Sequence, residues 1–444
     1  MFLPPWLIRA YKHASFIPIV AIVVVACSDN TKTKTAAAGA ANPCATSRPG
    51  EGGDLDIAAC LADAPAVALP ATQAHDLELF LDKSASMQGF LDPAYPTRIP
   101  TDFRSVLDKL FVGTKPTRAY SYGEQLEEFQ PNIGIVGQKS FYSHRDTRME
   151  DVFGRIESDS DLALDHVIVG DARRGSPGVA NSQFTLMRDL ASTWVKRGGT
   201  FAVASSLAPF KTVASDPSGC RAGNTRDESG QTCPLFAFAF IAPGDEMRVL
   251  ATLAGVFENL YAWPMVGIPA ANLTVLTGAP SSDITVEPLW NTARDSAPIV
   301  RTRGPRSSNR EVTATVTIAN SSSVQGATLR KLFDGEGMQS RLFSKSLDVS
   351  ALQRAWTPIQ SGSAVIRSTA PTTATIVTRG PTSAKSIVRL ELVSTGEPKW
   401  LSEFDANDAS DVLRTYGLGR LFESFRQDAT NGQKPIAHVY FVVN

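Results

Sequence analysis

Asp82, Ser84 and Ser86 occupy alternate positions in the run Asp82-Lys83-Ser84-Ala85-Ser86-Met87-Gln88-Gly89. The residues leading into it read DLELFLD, a short apolar strand that ends on a carboxylate. A carboxylate and two hydroxyls leaving a strand at alternate positions can converge on one hard divalent cation, which takes near-octahedral oxygen ligands. Two other chemistries fit part of the run. A capped turn uses one Ser or Asp to accept backbone N–H groups, and three such residues followed by Met87 and Gly89 exceed that need. An aspartyl nucleophile of phosphatase type needs a second carboxylate two residues on as acid and base, and that position is Ser84. No GxSxG, HExxH, GxxxxGK[ST] or GxGxxG run occurs, so the residues favour binding over hydrolysis.

Such a run must be held by the elements around it. Apolar residues at 103, 106, 107, 110 and 111 predict a helix over Phe103–Phe111, and Arg118–Tyr122 reads as a strand. Met149, Val152, Phe153 and Ile156 fall on one helical face. ALDHVIVGD, from Ala163 to Asp171, is a buried strand that again ends on a carboxylate. Gln183–Lys196 is predicted as a helix stopped by Gly198 and Gly199. Thr200–Ser206 and Pro234–Ile241 (PLFAFAFI) are strands, and Asp245–Leu260 is a helix. Alternating strands and helices predict an α/β fold, a mainly parallel sheet covered on both faces. Ligands of such sheets sit at the carboxyl ends of the strands. His166 falls inside a strand and reads as a satisfied core histidine, while His75, His144 and His438 are scattered.

DxSxSMxG after an apolar strand resembles the opening motif of von Willebrand factor A domains, where it forms a metal-ion-dependent adhesion site. The resemblance covers roughly residues 75–265. It implies a doubly wound, Rossmann-like fold in which a Thr from a second loop and an Asp after a later strand complete the site. YSYG, residues 120–123, stands where the family has the strand before that loop. Thr147 stands where it has its Thr, and Asp171 where it often reads T-D-G. The implied ligands are therefore Asp82, Ser84, Ser86, Thr147 and Asp171. The implied ion is Mg²⁺ or Mn²⁺, with Ca²⁺ a further candidate, and the implied partner is a protein whose acidic side chain supplies the last ligand. The chain departs from the pattern in three places. Thr147 follows Arg145 and Asp146 rather than a Gly pair, Asp171 lies between Gly170 and Ala172, and Pro93, Pro96 and Pro100 delay the first helix behind an extra loop. Thr147 and Glu150 also have the spacing of a capping box.

The N-terminus points to export. Arg9 and Lys12 precede an eleven-residue apolar run, FIPIVAIVVVA, too short to span a bilayer. It closes on Val24-Val25-Ala26-Cys27, which resembles the lipobox of bacterial lipoproteins. That implies cleavage before Cys27 and acylation of its thiol, a durable anchor when several chains are attached. Ser28 in place of Asp implies, by the same resemblance, the outer membrane of the bacterial envelope. Residues 27–75 read as the lipidated Cys and a polar tether, rich in small residues, that cannot bury a core. Cys44, Cys60, Cys220 and Cys233 then remain, and four Cys allow three connectivities. Pairing Cys44 with Cys60 and Cys220 with Cys233 closes the shortest loops.

The 444 residues divide into a signal peptide (1–26), the tether (27–75), the α/β region (76–270) and a C-terminal region (271–444). EVTATVTI, TATIVT and SIVRLELV alternate apolar and polar residues, the pattern of half-buried antiparallel strands, and predict a β-rich, sandwich-like module. A late amphipathic helix over Asp408–Phe425 and a final strand over Pro435–Val443 complete it. Lys plus Arg number 43 against 44 Asp plus Glu, so no basic surplus suits a nucleic acid. The expected activity is metal-dependent binding of a protein by a membrane-anchored lipoprotein, with no small-molecule substrate. A structural envelope lipoprotein with a vestigial metal site is the alternative, and a metal-dependent phosphohydrolase the less favoured one.

Overall fold

Strand β1 (Asp76–Asp82) is buried at every position after the first, as a strand covered on both faces must be. It is the third strand in the order of a seven-stranded sheet. The computed structural model describes residues 74–91, 102–172, 177–211, 232–268, 273–277, 284–291, 296–302, 310–318, 323–346, 356–358, 366–370, 373–378, 386–406, 415–430 and 435–443. The expected signal peptide, Cys27, the tether with Cys44 and Cys60, Cys220 and the proline-bearing stretch 92–101 lie outside the described residues. Among the described residues no helix is long and apolar enough to cross a membrane.

After β1 come a 3₁₀ segment (Ala85–Leu91), helix α1 (Phe103–Thr114), strands β2 (Arg118–Tyr122) and β3 (Glu127–Phe129), and a short helix α2 (Ile133–Val136). Helix α3 (Glu150–Ser158), strand β4 (Leu164–Gly170), helix α4 (Pro177–Lys196), strands β5 (Thr200–Pro209) and β6 (Thr232–Ile241), helix α5 (Glu246–Val256) and strand β7 (Asn259–Trp263) follow. The sheet order is β3-β2-β1-β4-β6-β5-β7.

The sheet is mixed, which corrects the expectation of a mainly parallel one. β1 runs parallel to β2 and to β4. The remaining neighbours, β2 with β3, β4 with β6, β6 with β5 and β5 with β7, are antiparallel. β6 pairs antiparallel with β5 and inserts between it and β4, a direction that the apolar run PLFAFAFI does not encode, because period-two alternation reads the same either way. Helix α5 also ends sooner than the periodicity suggests. Phe257 turns extended, and Asn259 and Leu260, expected as the helix end, open the edge strand β7.

Side-chain alternation divides the sheet into two apolar faces. Leu77, Leu79 and Leu81 of β1 with Ala237 and Ala239 of β6 pack under α1 and α5. Phe80, with Phe236, Phe238 and Phe240, packs under α3 and α4, which contribute Val152, Phe153, Met187 and Trp194. α1 is capped by Asp102, whose carboxylate accepts the Arg104 N–H and the Ser105 hydroxyl.

The C-terminal region supplies a six-stranded and a four-stranded sheet. β8 (Leu273–Thr277), β11 (Arg310–Ile318), β14 (Ile366–Ala370) and β15 (Thr373–Thr378) make the smaller one, antiparallel throughout. β9 (Ile284–Asn291), β10 (Ser296–Thr302), β12 (Glu336–Ser346), β13 (Thr357–Pro358), β16 (Ser386–Pro398) and β17 (Ala437–Val443) make the larger, with β10 and β17 parallel. A helix the sequence pattern did not mark, α6 (Val324–Gly335), adds Leu329, Leu332 and Phe333 to the core beneath α5. On the opposite face Leu418, Leu421, Phe422 and Phe425 join the aromatic core, with Phe425 5.7 Å from Phe201 between ring centroids. These last residues correct the expected helix over Asp408–Phe425. Its described part holds Thr415–Tyr416 in a strand, Gly417 at φ 79°, a 3₁₀ segment over Leu418–Phe422 and an α-helix only from Glu423 to Thr430. A left-handed Gly breaks helical continuity that apolar spacing alone cannot register.

Candidate functional site

Asp82, Tyr122 and Gly170 end the three parallel strands β1, β2 and β4, so their carboxyl ends open on the same edge. Asp82 is buried and its Oδ1 accepts the Ser84 backbone N–H at 2.8 Å, an Asx turn that bends the chain out of the strand. The bend presents Ser84 Oγ 3.0 Å from Ser86 Oγ. Met87, fully buried, anchors the following 3₁₀ segment in the core. Gly89 lets the end of β5 pass close by: a Cβ there would fall 2.2 Å from the Phe210 ring, and Gly89 O accepts the Lys211 N–H.

A second loop is stitched to this turn. His144 N–H donates to Lys83 O and His144 O accepts from Ala85 N–H, so residue 144 forms a one-residue parallel bridge with Ser84. His144 Nδ1 accepts the Glu124 N–H at 3.0 Å, and Arg148 N–H donates to Gly123 O at 2.8 Å. Gly123 is needed here, because a Cβ would stand 2.4 Å from His144 Nδ1. Thr147, between these tie points, lines one pocket with Asp82, Tyr122, Met149, Gly170, Ala172 and Gln183. Thr147 is not the helix cap: Met149 holds that position without a side-chain hydrogen bond, and the capping-box expectation is corrected.

The third loop leaves β4. Asp171 is buried, and the Gly170 and Ala172 flanking it stand in the pocket wall. Ala172 has φ 52°, a left-handed conformation that costs a non-glycine residue about 1 kcal/mol and turns the chain sharply after the carboxylate. Asp82, Thr147 and the residues on either side of Asp171 therefore meet around one cavity, and Ser84 and Ser86 join them through the turn rather than through the wall.

The surroundings are set by charge and burial. Lys83 points away to Glu127, 2.6 Å from its carboxylate, and the bonds from Lys83 and Gln125 hold Glu127 below the usual carboxylate range. Tyr142, whose carbonyl accepts from Gln88, is pushed far up first by burial and then by the charge of Asp82. His166 lies elsewhere: its ring nitrogens are 3.4 Å from Glu78 and from Asp159, which makes it a core histidine between two carboxylates.

Two cis oxygens on an octahedral ion with bonds of roughly 2.1 Å stand about 3.0 Å apart, which is the Ser84–Ser86 separation. Among the described residues no three His, Cys, Asp or Glu gather as a metal cluster, so a cation here would depend on hydroxyl and water oxygens beside the carboxylates. That donor set suits a hard cation and not Zn²⁺. Gln183 was not singled out in the sequence: it is polar on the apolar stripe of α4, but spacing alone does not show that the position is buried. Gly123 and Gly170 were visible at the strand ends, but the sequence does not show which side chain each must admit.

No protein-family profile, curated protein or solved structure matches the chain.

Proposed function

We propose that this chain is a lipid-anchored protein of the bacterial envelope that binds a protein partner through a divalent-cation site of von Willebrand A type. The observation that carries the reading is the meeting of three loops, after β1, before α3 and after β4, around Asp82 and Thr147 at one sheet edge. Helices on both faces of the sheet and the Asx-bent Asp82-Ser84-Ser86 turn support it. The mixed strand order from β6 onward departs from that family's parallel sheet, but the three strands that carry the site, β1, β2 and β4, keep the parallel arrangement.

Asp82 and Asp171 bring two negative charges, and Ser84, Ser86 and Thr147 bring neutral oxygens. A bound Mg²⁺ or Mn²⁺ supplies the positive charge that captures an acidic side chain. Two carboxylates balance a divalent ion without surplus, so the chain's own residues leave a coordination position and electrostatic room for a partner's carboxylate. The β5–β6 connection departs at Lys211 and returns at Thr232 on this same edge.

Titration calorimetry of the full chain in detergent with Mg²⁺ and Mn²⁺, followed by capture of envelope proteins with and without EDTA, tests the proposal. Metal binding and EDTA-sensitive capture are expected. Absence of any metal binding would overturn it in favour of a structural lipoprotein with a vestigial site, and a partner that stays bound in EDTA would overturn the metal bridge.

A further inference from the structure

Helix α4 presents Phe184, Met187, Ala191 and Trp194 to the core, and Gln183 sits on the same face, buried to within 4% of its accessible surface. Its Nε2 is buried and has no hydrogen-bond partner among the described residues. Burying a carboxamide donor without an acceptor forfeits its hydrogen bonds to water and costs free energy. An apolar residue at this position would avoid that cost, as its four neighbours on the face do. The amide instead lines the pocket shared with Asp82, Thr147, Gly170 and Ala172. That pocket has room for about one water molecule and too little for a partner's side chain.

We propose that Gln183 is a positioning residue of the ion site: its amide N–H donates to a water held in this pocket, and that water takes one position of the cation's shell in place of a direct bond from Asp171, which acts through it, so that a position stays open to the partner. This inference rests on reading the site as a divalent-cation site. The geometry assigns the two sides of the ion different tasks. Gln183 and the pocket fix the inner water, while the turn side, with half-buried Ser86, faces the partner. A neutral amide does this without adding a third negative charge, which would compete with an incoming carboxylate.

The test uses the full chain in detergent, with Mn²⁺ as the probe, read by calorimetry and by water-proton relaxation, which counts Mn²⁺-bound waters. Gln183→Leu is expected to weaken Mn²⁺ binding about 10-fold, in the range that outer-shell partners of metal ligands contribute, and to lower the count of bound waters by one. Gln183→Glu keeps the shape, and its added charge is expected to tighten Mn²⁺ binding several-fold while weakening capture of an acidic partner. A merely structural glutamine would move neither the water count nor the affinity. Wild-type affinity and water count in Gln183→Leu, or in Gln183→Glu should the leucine variant fail to fold, overturns this inference and leaves the site reading standing. A wild-type chain that binds no Mn²⁺ overturns both.

Discussion

Gly170 lies so close to Asp82 that a Cβ on the glycine would stand 2.9 Å from the Asp82 Cβ and 3.1 Å from its Oδ2. The same atom would meet the Tyr122 hydroxyl at 2.8 Å, and that hydroxyl donates to Val169 O. One absent methyl thus allows the ends of β1, β2 and β4 to close on one another. Gly170→Ala is expected to destabilise the protein by about 1–3 kcal/mol through overpacking and to weaken Mg²⁺ binding, because Asp82 and Tyr122 must move. Denaturant unfolding and calorimetry on one preparation check this; unchanged metal affinity would mean that Asp82 does not ligate from its observed position.

Asp82→Asn keeps the volume and the acceptor for the Ser84 N–H but removes the charge. Mg²⁺ and Mn²⁺ binding should disappear while the unfolding midpoint stays near that of the wild type. Asp82→Ala should lose the metal too and, with the Ser84 N–H left buried, cost about 1 kcal/mol or more in stability. Ser84→Ala should be milder for metal binding, since water can replace a neutral oxygen. Calorimetry that finds wild-type affinity in Asp82→Asn refutes the ligand assignment.

Acid should unfold the protein through Glu78 and Asp159. Burial alone would raise Glu78, but its bonds to His166 and Arg155 overcome this and hold it down to about 2. Asp159 is likewise held down to about 2, burial being overcome by His166 and by the N–H groups of Ala163 and Leu164. For depressed carboxylates the stabilisation is complete above the unfolded values of 4.5 and 3.8 and is lost as pH falls through about 2. Stability should therefore decline from about pH 5 downward, and Glu78→Gln should flatten that decline. An acid limb of equal slope in Glu78→Gln speaks against this origin.

Cys233 is fully buried, opposite Ala208 on β5, and disulfide-bonded. Its partner is expected to be Cys220, which would close a short loop worth about 3 kcal/mol in the chain-entropy account. Peptide mapping without reduction should recover the two cysteines in one linked fragment. Two alkylatable thiols at these positions in exported protein would contradict the pairing.

Cys27→Ser should abolish lipid labelling and leave the precursor unprocessed by lipoprotein signal peptidase. The same labelling in mutant and wild type would remove the anchor from the proposal.

Apolar period was enough to place β1, β2 and β4 almost to the residue, because strands whose faces are buried carry their environment in side-chain type, and polar–apolar alternation did the same for β11 and β15. Asp82 and Asp171 were legible for a related reason: a carboxylate that ends an apolar strand is conspicuous on any reading. Sheet order was not legible. Whether Pro234–Ile241 lies parallel to β4 or folds back against β5 depends on pairings between residues some seventy apart, such as Phe240 with His166, and period-two alternation reads the same in either direction. Which surface the C-terminal helical segments cover was hidden for the same reason, since their apolar faces do not name what they bury. Local chemistry in the chain marked the turn that offers oxygens. Only the tertiary structure decided that Thr147, Gly170, Ala172 and Gln183 surround it, because close approach between loops is fixed by packing and not by spacing along the chain.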